Sequence, residues 1–245
     1  MKISYYAPSL KRPQKSITQK LYPFVKLVVK ESEANEYLKN GNEIIIVPDM
    51  AQGNVSRIRN YILDNLYDNS EAIFIIDDDC NGVYVYQKQK RIKLNSDELL
   101  EFIESNTILC KEWGYYHWGI NCVTDKGAYL EHTPFGTLQY IGSPFGVHIK
   151  NDIRYDEELP LKEDYDYTLQ HIKKYNGCLR INYANYEVKQ SEQVGGCSTY
   201  RNLKEEKLQF EKLQNKWGSK IITIDKSSKK TYDFNPIIKI PLKGI

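Results

Sequence analysis

The stretch "AIFIIDDDCNG", residues 72–82, limits what this chain can fold into more than any other. Five apolar residues, Ala72 to Ile76, read as a strand, and three carboxylates follow at once. Adjacent carboxylates repel, and apolar neighbours hydrate them poorly, so their charge must be offset where the strand ends. Alternate residues of an extended segment point the same way, so Asp77 and Asp79 are expected to converge while Asp78 turns away. Two converging hard oxygen donors suit a divalent cation, Mg²⁺ or Mn²⁺, with phosphate oxygens completing its shell. Alone, the same D-x-D reads as a solvated acidic turn.

The flanking sequence supplies the frame. "KISYYA" reads as a strand that breaks at Pro8, and "VKLVV" at 25–29 as a second. "ESEANEYLKN" is helical and stops at Gly41 in the C′ position. "EIIIV" at 43–47 is nearly all apolar, as expected of a strand buried on both faces of a parallel sheet. "NVSRIRNYILDNL" carries apolar residues at 55, 58, 62, 63 and 66, a helical period. Strands alternating with helices predict an α/β fold with a mainly parallel sheet, and its strands' carboxyl ends are where ligands bind.

The second half has another character. "GVYVYQ" and "RIKL" read as a hairpin, and "NSDELLEFIESNTILCKEW" as a helix with Asn95 and Glu98 in a capping box. "WGINCV" and "LQYIGSPFGVHIK" look like antiparallel strands. A helix from about Glu163 to Tyr175, closed by Gly177, precedes the strand "LRINYANYEV". A Gly-Gly loop, a charged helix near 203–216 and a strand-like tail complete the chain. With no internal repeat and no low-complexity linker, it reads as one compact domain with two sub-halves.

Composition excludes more than it selects. The 245 residues can bury a sizeable core, and 41% hydrophobic with 27% charged residues is ordinary for a globular protein. A net charge of +2 gives no bulk attraction for a polyanion, and the basic runs "QKQKRIK" (87–93) and "KSSKK" (226–230) read first as solvated faces. Five scattered cysteines without a C-x-x-C pair argue against both a disulfide framework and a zinc site. No window approaches a membrane span, and no signal peptide is apparent, so a cytoplasmic protein without a membrane partner is expected. Twenty tyrosines suit stacking surfaces for sugars or bases, and equally suit half-buried strands.

A second acidic group sits in "NDIRYDEELPLKEDYDYTLQHIKKYNG". Glu163 and Asp164 fall at a helix start, where the helix dipole favours negative charge. They serve there either as helix-end charges or as carboxylates at the mouth of the cleft, able to take a proton from an attacking hydroxyl.

Three segments in this order resemble the glycosyltransferases of the A-type fold: "ISYYAPSLKRP", "GNVSRIRNYILDN…EAIFIIDDDC" and "GSPFGVHIKNDIRYDEELPLKEDYDYTLQHIKKYNGCLRINYA". They span about residues 3–188. More narrowly, "GN..RIRNYIL" before "IIDDD" resembles the phage-encoded glycosyltransferases associated with TET-type DNA oxygenases. The resemblance implies a nucleotide-sugar-binding half over 1–80, an acceptor-side half over 81–200 and a C-terminal helix and tail over 201–245. It also implies metal-dependent transfer, with inversion, from a nucleotide-sugar (a UDP-sugar) to hydroxymethylated pyrimidines in phage DNA.

Carried over residue by residue, the resemblance makes Asp79 a metal ligand and Asp77 a ligand of the metal or the ribose, with Asp78 on the donor. It places Ala7, Pro8, Ser9 and Arg12 beside the nucleotide, together with Arg57 or Asn60. Asp164 becomes the general base and Glu163 its acidic neighbour. Many relatives carry a further metal-ligating His after the strand that here reads "RINYANYEVKQ"; this chain has Gln190 there. Gly195 and Gly196 permit close backbone approach to phosphate, and Arg201 can pair with the diphosphate, although a surface loop with an ordinary Arg fits the same residues. His117, His132, His148 and His171 are expected to be structural, with His148 able to reach the cleft. Two rivals stay open: transfer to a surface glycan or a protein, and an inactive A-type fold serving as a binding module.

Overall fold

A computed structural model of the chain describes residues 1–88, 90–124, 129, 131–188, 200–225 and 234–241. The first third alternates as expected: β1 (Ile3–Pro8), α1 (Ile17–Leu21), β2 (Lys26–Lys30), α2 (Ala34–Lys39), β3 (Ile44–Val47), α3 (Val55–Asn65) and β4 (Ala72–Ile76). Next come β5 (Cys80–Gln87), β6 (Lys90–Lys93), α4 (Ser96–Glu112), β7 (His117–Asn121), β8 (Phe135–Gly136) and β9 (Phe145–Ile149). Then follow α5 (Glu163–Tyr175), β10 (Leu179–Val188), α6 (Leu203–Trp217), β11 (Ile222–Ile224) and β12 (Pro236–Ile238).

One sheet runs through both halves in the order β3-β2-β1-β4-β9-β7-β10-β5-β6, with β8 pairing β10. The first four strands in that order are mutually parallel. On its other edge β4 meets β9 antiparallel, Phe74 opposite Val147. β4 is thus the seam between the two kinds of pairing, and its carboxyl end lies beside that of β1. Both of its faces are covered. Phe74 and Ile76 join a core with Leu27, Leu99, Ile103 and Trp118, which packs α4 on one side. Ile73 and Ile75 join Ile58, Ile62 and Tyr167, which packs α3 and α5 on the other. The capping box at Asn95 and Glu98 opens α4 as expected.

Three expectations need correction. β3 is an edge strand with Ile46 53% exposed, not a strand buried on both faces, because nothing among the described residues pairs beyond it. Of "LQYIGSPFGVHIK" only Phe145–Ile149 is strand; the preceding residues turn away to meet α5. The left-handed residue that ends α5 is Asn176 (φ 60°), so Gly177 is not the closing position. Asn tolerates that conformation through its short polar side chain. Gly177 is still constrained, since a Cβ there would come within 2.6 Å of the Tyr115 ring.

His117 on β7 lies opposite His148 on β9, and their rings stack at 4.8 Å, with His171 of α5 at 5.2 Å from His117. All three are buried, and burial, followed by the neighbouring imidazoles, pushes His117 down to about 3 and His148 well down. Burial likewise lowers His171 to about 4. The folded state therefore holds neutral imidazoles that charge once the chain unfolds, around pH 6.5. Their contribution is fully present above that pH and is lost as the pH falls towards 4, by about 1.4 kcal/mol per pH unit for each imidazole. Urea midpoints measured from pH 7.5 down to 5 should fall accordingly, and His171→Phe should flatten the slope. A slope identical in His171→Phe would remove His171 as a contributor.

Candidate active site

The carboxyl ends of β1 and β4 open onto a cavity of about 460 Å³. The chain leaves β4 at Ile76 and turns, so strand alternation ceases at the acidic triplet. Its backbone is pinned by α1. Ser16 Oγ donates to the Asp78 carbonyl (2.8 Å), while Thr18 Oγ1 donates to the Asp77 carbonyl (2.6 Å) and accepts from Cys80 N (2.9 Å). This turn corrects the expected geometry: Asp78 and Asp79 converge on Arg12, and Asp77, which lines the same cavity, is drawn to Arg59. Arg12 Nη1 lies 2.8 Å from Asp78 Oδ1 and 3.1 Å from Asp79 Oδ2. Asp77 Oδ1 instead meets Arg59 Nη2 at 3.1 Å.

Arg12 reaches the triplet because the chain reverses after β1. Lys11 takes a left-handed conformation (φ 56°) with its N–H on Glu33 Oε2, and Arg12 N donates to the Tyr37 hydroxyl (3.0 Å). Ser9 Oγ is hydrogen-bonded to both Tyr37 and Asp78. Burial, with the charges of Asp77 and Asp78 adding to it, pushes Asp79 up to about 7 against the pull of Arg12. Asp78 is also raised by burial. Burial disfavours the Arg12 charge, but the two aspartates more than offset that and raise it.

The second acidic group faces the same cavity. α5 begins at Glu163, with Lys162 as its N-cap; the Lys162 ammonium, itself buried, pairs with Glu206 of α6 at 2.5 Å. Glu163 Oε1 accepts from Arg59 Nη1 (2.8 Å) and from Ser143 Oγ (3.0 Å). Burial and the Asp164 charge push Glu163 up to about 7, and Arg59 works against them. Asp164 Oδ2 accepts from the Tyr140 hydroxyl and from Ser143 N (3.3 Å), and Oδ1 accepts from Tyr165 N (2.9 Å).

Arg59 joins the two groups. It is 1% exposed, and one guanidinium binds Asp77 at the end of β4, Glu163 at the start of α5 and the Ser143 carbonyl (3.3 Å). The apolar period of α3 separates it from Arg57: position 59 lies three and four residues before Ile62 and Leu63 and faces inward with them, whereas Arg57 reaches outward.

Pro8, Ser9, Arg12, Asp77, Asp78, Asp79, Glu163, Asp164 and Arg201 all line this cavity. Ala7 does not, since it is buried in the core beneath β1. Arg57 forms a surface pair with Glu157 (2.8 Å), and Asn60 is spent on the Tyr155 backbone, so neither faces the cavity. His148 is enclosed with His117 and Tyr167 and does not reach it. Gly195, Gly196 and Gln190 lie outside the described residues. Arg201 pairs with Glu206 at 3.0 Å at the rim. Besides Arg59 the sequence reading missed Gln52, Cys122, Tyr140, Ser143, Tyr186 and Tyr200 on the wall. Apart from Tyr186, which lies on β10, these are residues of ordinary type in irregular segments and carried no signal.

The donor chemistry of the triplet fits Mg²⁺ or Mn²⁺. Its oxygens are hard, Asp77 is about a third exposed and Asp79 partly so, and burial with like charge leaves Asp79 short of counter-charge. Among the described residues no three His, Cys, Asp or Glu side chains are placed to enclose a metal. No helix among them is long and apolar enough to cross a membrane, and the described cysteines Cys80, Cys110, Cys122 and Cys178 are free.

The model of the family described as TET-Associated Glycosyltransferase matches residues 3–196. No curated protein sequence matches. The crystal structure of S. aureus TarS 1-349 in complex with UDP-GlcNAc is similar at a TM-score of 0.51 and 18% identity, covering 88% of this chain and 67% of that one. A197 from STIV follows at a TM-score of 0.41 and 13% identity, covering 80% and 89%. The fold is that of the A-type glycosyltransferases.

Proposed function

The chain belongs to the TET-associated glycosyltransferase family, and from that premise we propose that it moves a sugar from a UDP-sugar to hydroxymethylated pyrimidine in DNA, with a divalent cation and with inversion. What supports this reading is the meeting of the β4 triplet and the α5 carboxylates at one cavity, bridged by Arg59. Asp79 and Asp77, which line the same cavity, would hold the cation, and the cation would supply positive charge to stabilise the departing diphosphate. Arg12, Ser9, Pro8 and Asp78 border the nucleotide, and Arg201 pairs with the diphosphate. Asp164 accepts the proton of the attacking hydroxyl. Glu163, held by Arg59 and Ser143, keeps the start of α5 against the donor side.

The basic hairpin supports DNA over a neutral glycan. Lys88, Lys90 and Lys93 stay in solvent, while Arg91 lies over the Tyr84 ring at 3.6 Å and is tied to Asn185 and Glu187. Transfer assays with UDP-sugars and Mn²⁺ on hydroxymethylated DNA, unmodified DNA and a glycan test the acceptor. Binding to DNA should weaken steeply between 50 and 200 mM salt, as contacts to several phosphates require. Transfer to the glycan alone would overturn the acceptor; donor binding without turnover on any acceptor would leave a binding module.

Asp79→Asn tests the metal assignment. Calorimetric titration with donor should show Mn²⁺-dependent binding in the parent and none in the variant. The melting temperature should hold, because a neutral amide relieves the like charge that burdens this position. Donor affinity unchanged in the variant, with Mn²⁺ and with EDTA alike, would refute the assignment.

A further inference from the structure

We infer that Tyr140 is a positioning residue for the general base: its hydroxyl holds one oxygen of Asp164, which leaves the other to receive the proton of the acceptor hydroxyl. The inference rests on the reading of Asp164 as that base. Asp164 Oδ2 already accepts from Tyr140 and from Ser143 N, whereas among the described residues Oδ1 has only the adjacent Tyr165 N, leaving lone-pair capacity there. A carboxylate on an unrestrained side chain would present either oxygen and lose rate to misorientation.

The Tyr140 ring cannot move freely. It stacks on Tyr165 at 4.1 Å and 13°, and its carbonyl accepts from Arg180 (3.2 Å). The next residue is fixed as well, because Ile141 N donates to Thr168 Oγ1 on α5. Gly142 completes the fit: a Cβ there would lie 2.6 Å from Cys122 Sγ and 2.7 Å from the Tyr186 hydroxyl. The segment before β9 thus brings one phenol to one carboxylate oxygen at the cavity wall.

The ionisable groups around Asp164 are Glu163 and Tyr165 on its own helix, Tyr140, Cys122 beyond β7, Tyr155 before α5 and Tyr186 on β10. Tyr140, Tyr165 and Tyr186 are raised by burial first, so they stay protonated across the working range and Tyr140 remains a donor. Removing the donor therefore frees the carboxylate to turn, which costs rate and leaves donor affinity alone.

Two variants at one position test this, with the parent and Asp164→Asn measured alongside. Tyr140→Phe keeps the stacked ring and loses the donor. It should lower kcat about tenfold with donor KM unchanged. A fluorinated tyrosine placed at 140 keeps the ring and is a stronger donor, so it should lower kcat about twofold by drawing electron density from the base, again with donor KM unchanged. It also keeps the test open should Tyr140→Phe fold poorly. A merely structural ring predicts the parent's kcat in both. If Asp164→Asn loses turnover while both replacements at 140 keep the parent's kcat, Tyr140 is not the positioning residue. If Asp164→Asn keeps turnover, the base assignment falls first and this inference with it.

Discussion

Asp164→Asn is expected to lower kcat by roughly 10²–10⁴-fold with the true donor and acceptor, the contribution of a placed general base. Two physical accounts of this carboxylate compete. As a charge at the start of α5 it interacts with the helix dipole, worth only about 0.3–1 kcal/mol. That account predicts a slightly lower melting temperature and normal turnover. As a base it predicts near-normal stability and lost turnover, because Asn keeps the shape and cannot take the proton. Its contacts favour the second: two of its three donors come from the segment before β9, which faces the cavity. Donor affinity should change little, since the triplet and Arg12 lie on the other side. Near-normal kcat would pass the role to Glu163 first, and single-turnover measurement would separate a slow chemical step from slow product release.

Arg59→Met is the larger test of stability. A buried guanidinium that holds two carboxylates leaves both uncompensated when it is removed, and breaking a buried pair costs about 3–5 kcal/mol. The Glu163 arm dominates, because that carboxylate is buried, whereas Asp77 is partly exposed and water can screen it. Some of the loss is recoverable: Glu163 is already pushed to about 7, so it can take up a proton instead of standing charged. The variant should therefore be least destabilised at mildly acidic pH, and Glu163→Gln in the same chain should return part of the loss at neutral pH. Urea unfolding of the four forms at pH 6 and pH 8 gives the coupling directly. Loss in Arg59→Met that is the same with and without Glu163→Gln would mean that the arginine acts through packing alone.

The sequence by itself determined which elements form. An unbroken apolar run before the triplet, a helical period at 55–66, acidic residues opening a helix at 163 and the capping box at Asn95 are local signals, set by the residues' own backbone preferences and by which faces must avoid water. They placed both acidic groups at element ends, and the resemblance joined them in one site. Where a side chain points at an element's end was not legible. The turn after Ile76 swaps the partners of Asp77 and Asp78, and although the period of α3 turns Arg59 inward, nothing local says which carboxylates it meets. Register and strand order lay further out of reach. "EIIIV" is apolar enough for the middle of a sheet yet sits at its edge, because order depends on pairings between strands far apart in the chain. Tyr140 and Ser143 are ordinary residues in an irregular stretch, and only the arrival of α5 against that stretch gives them partners. Local chemistry chose the elements; long-range packing chose which residues meet, since a contact between distant positions leaves no periodic trace in either segment.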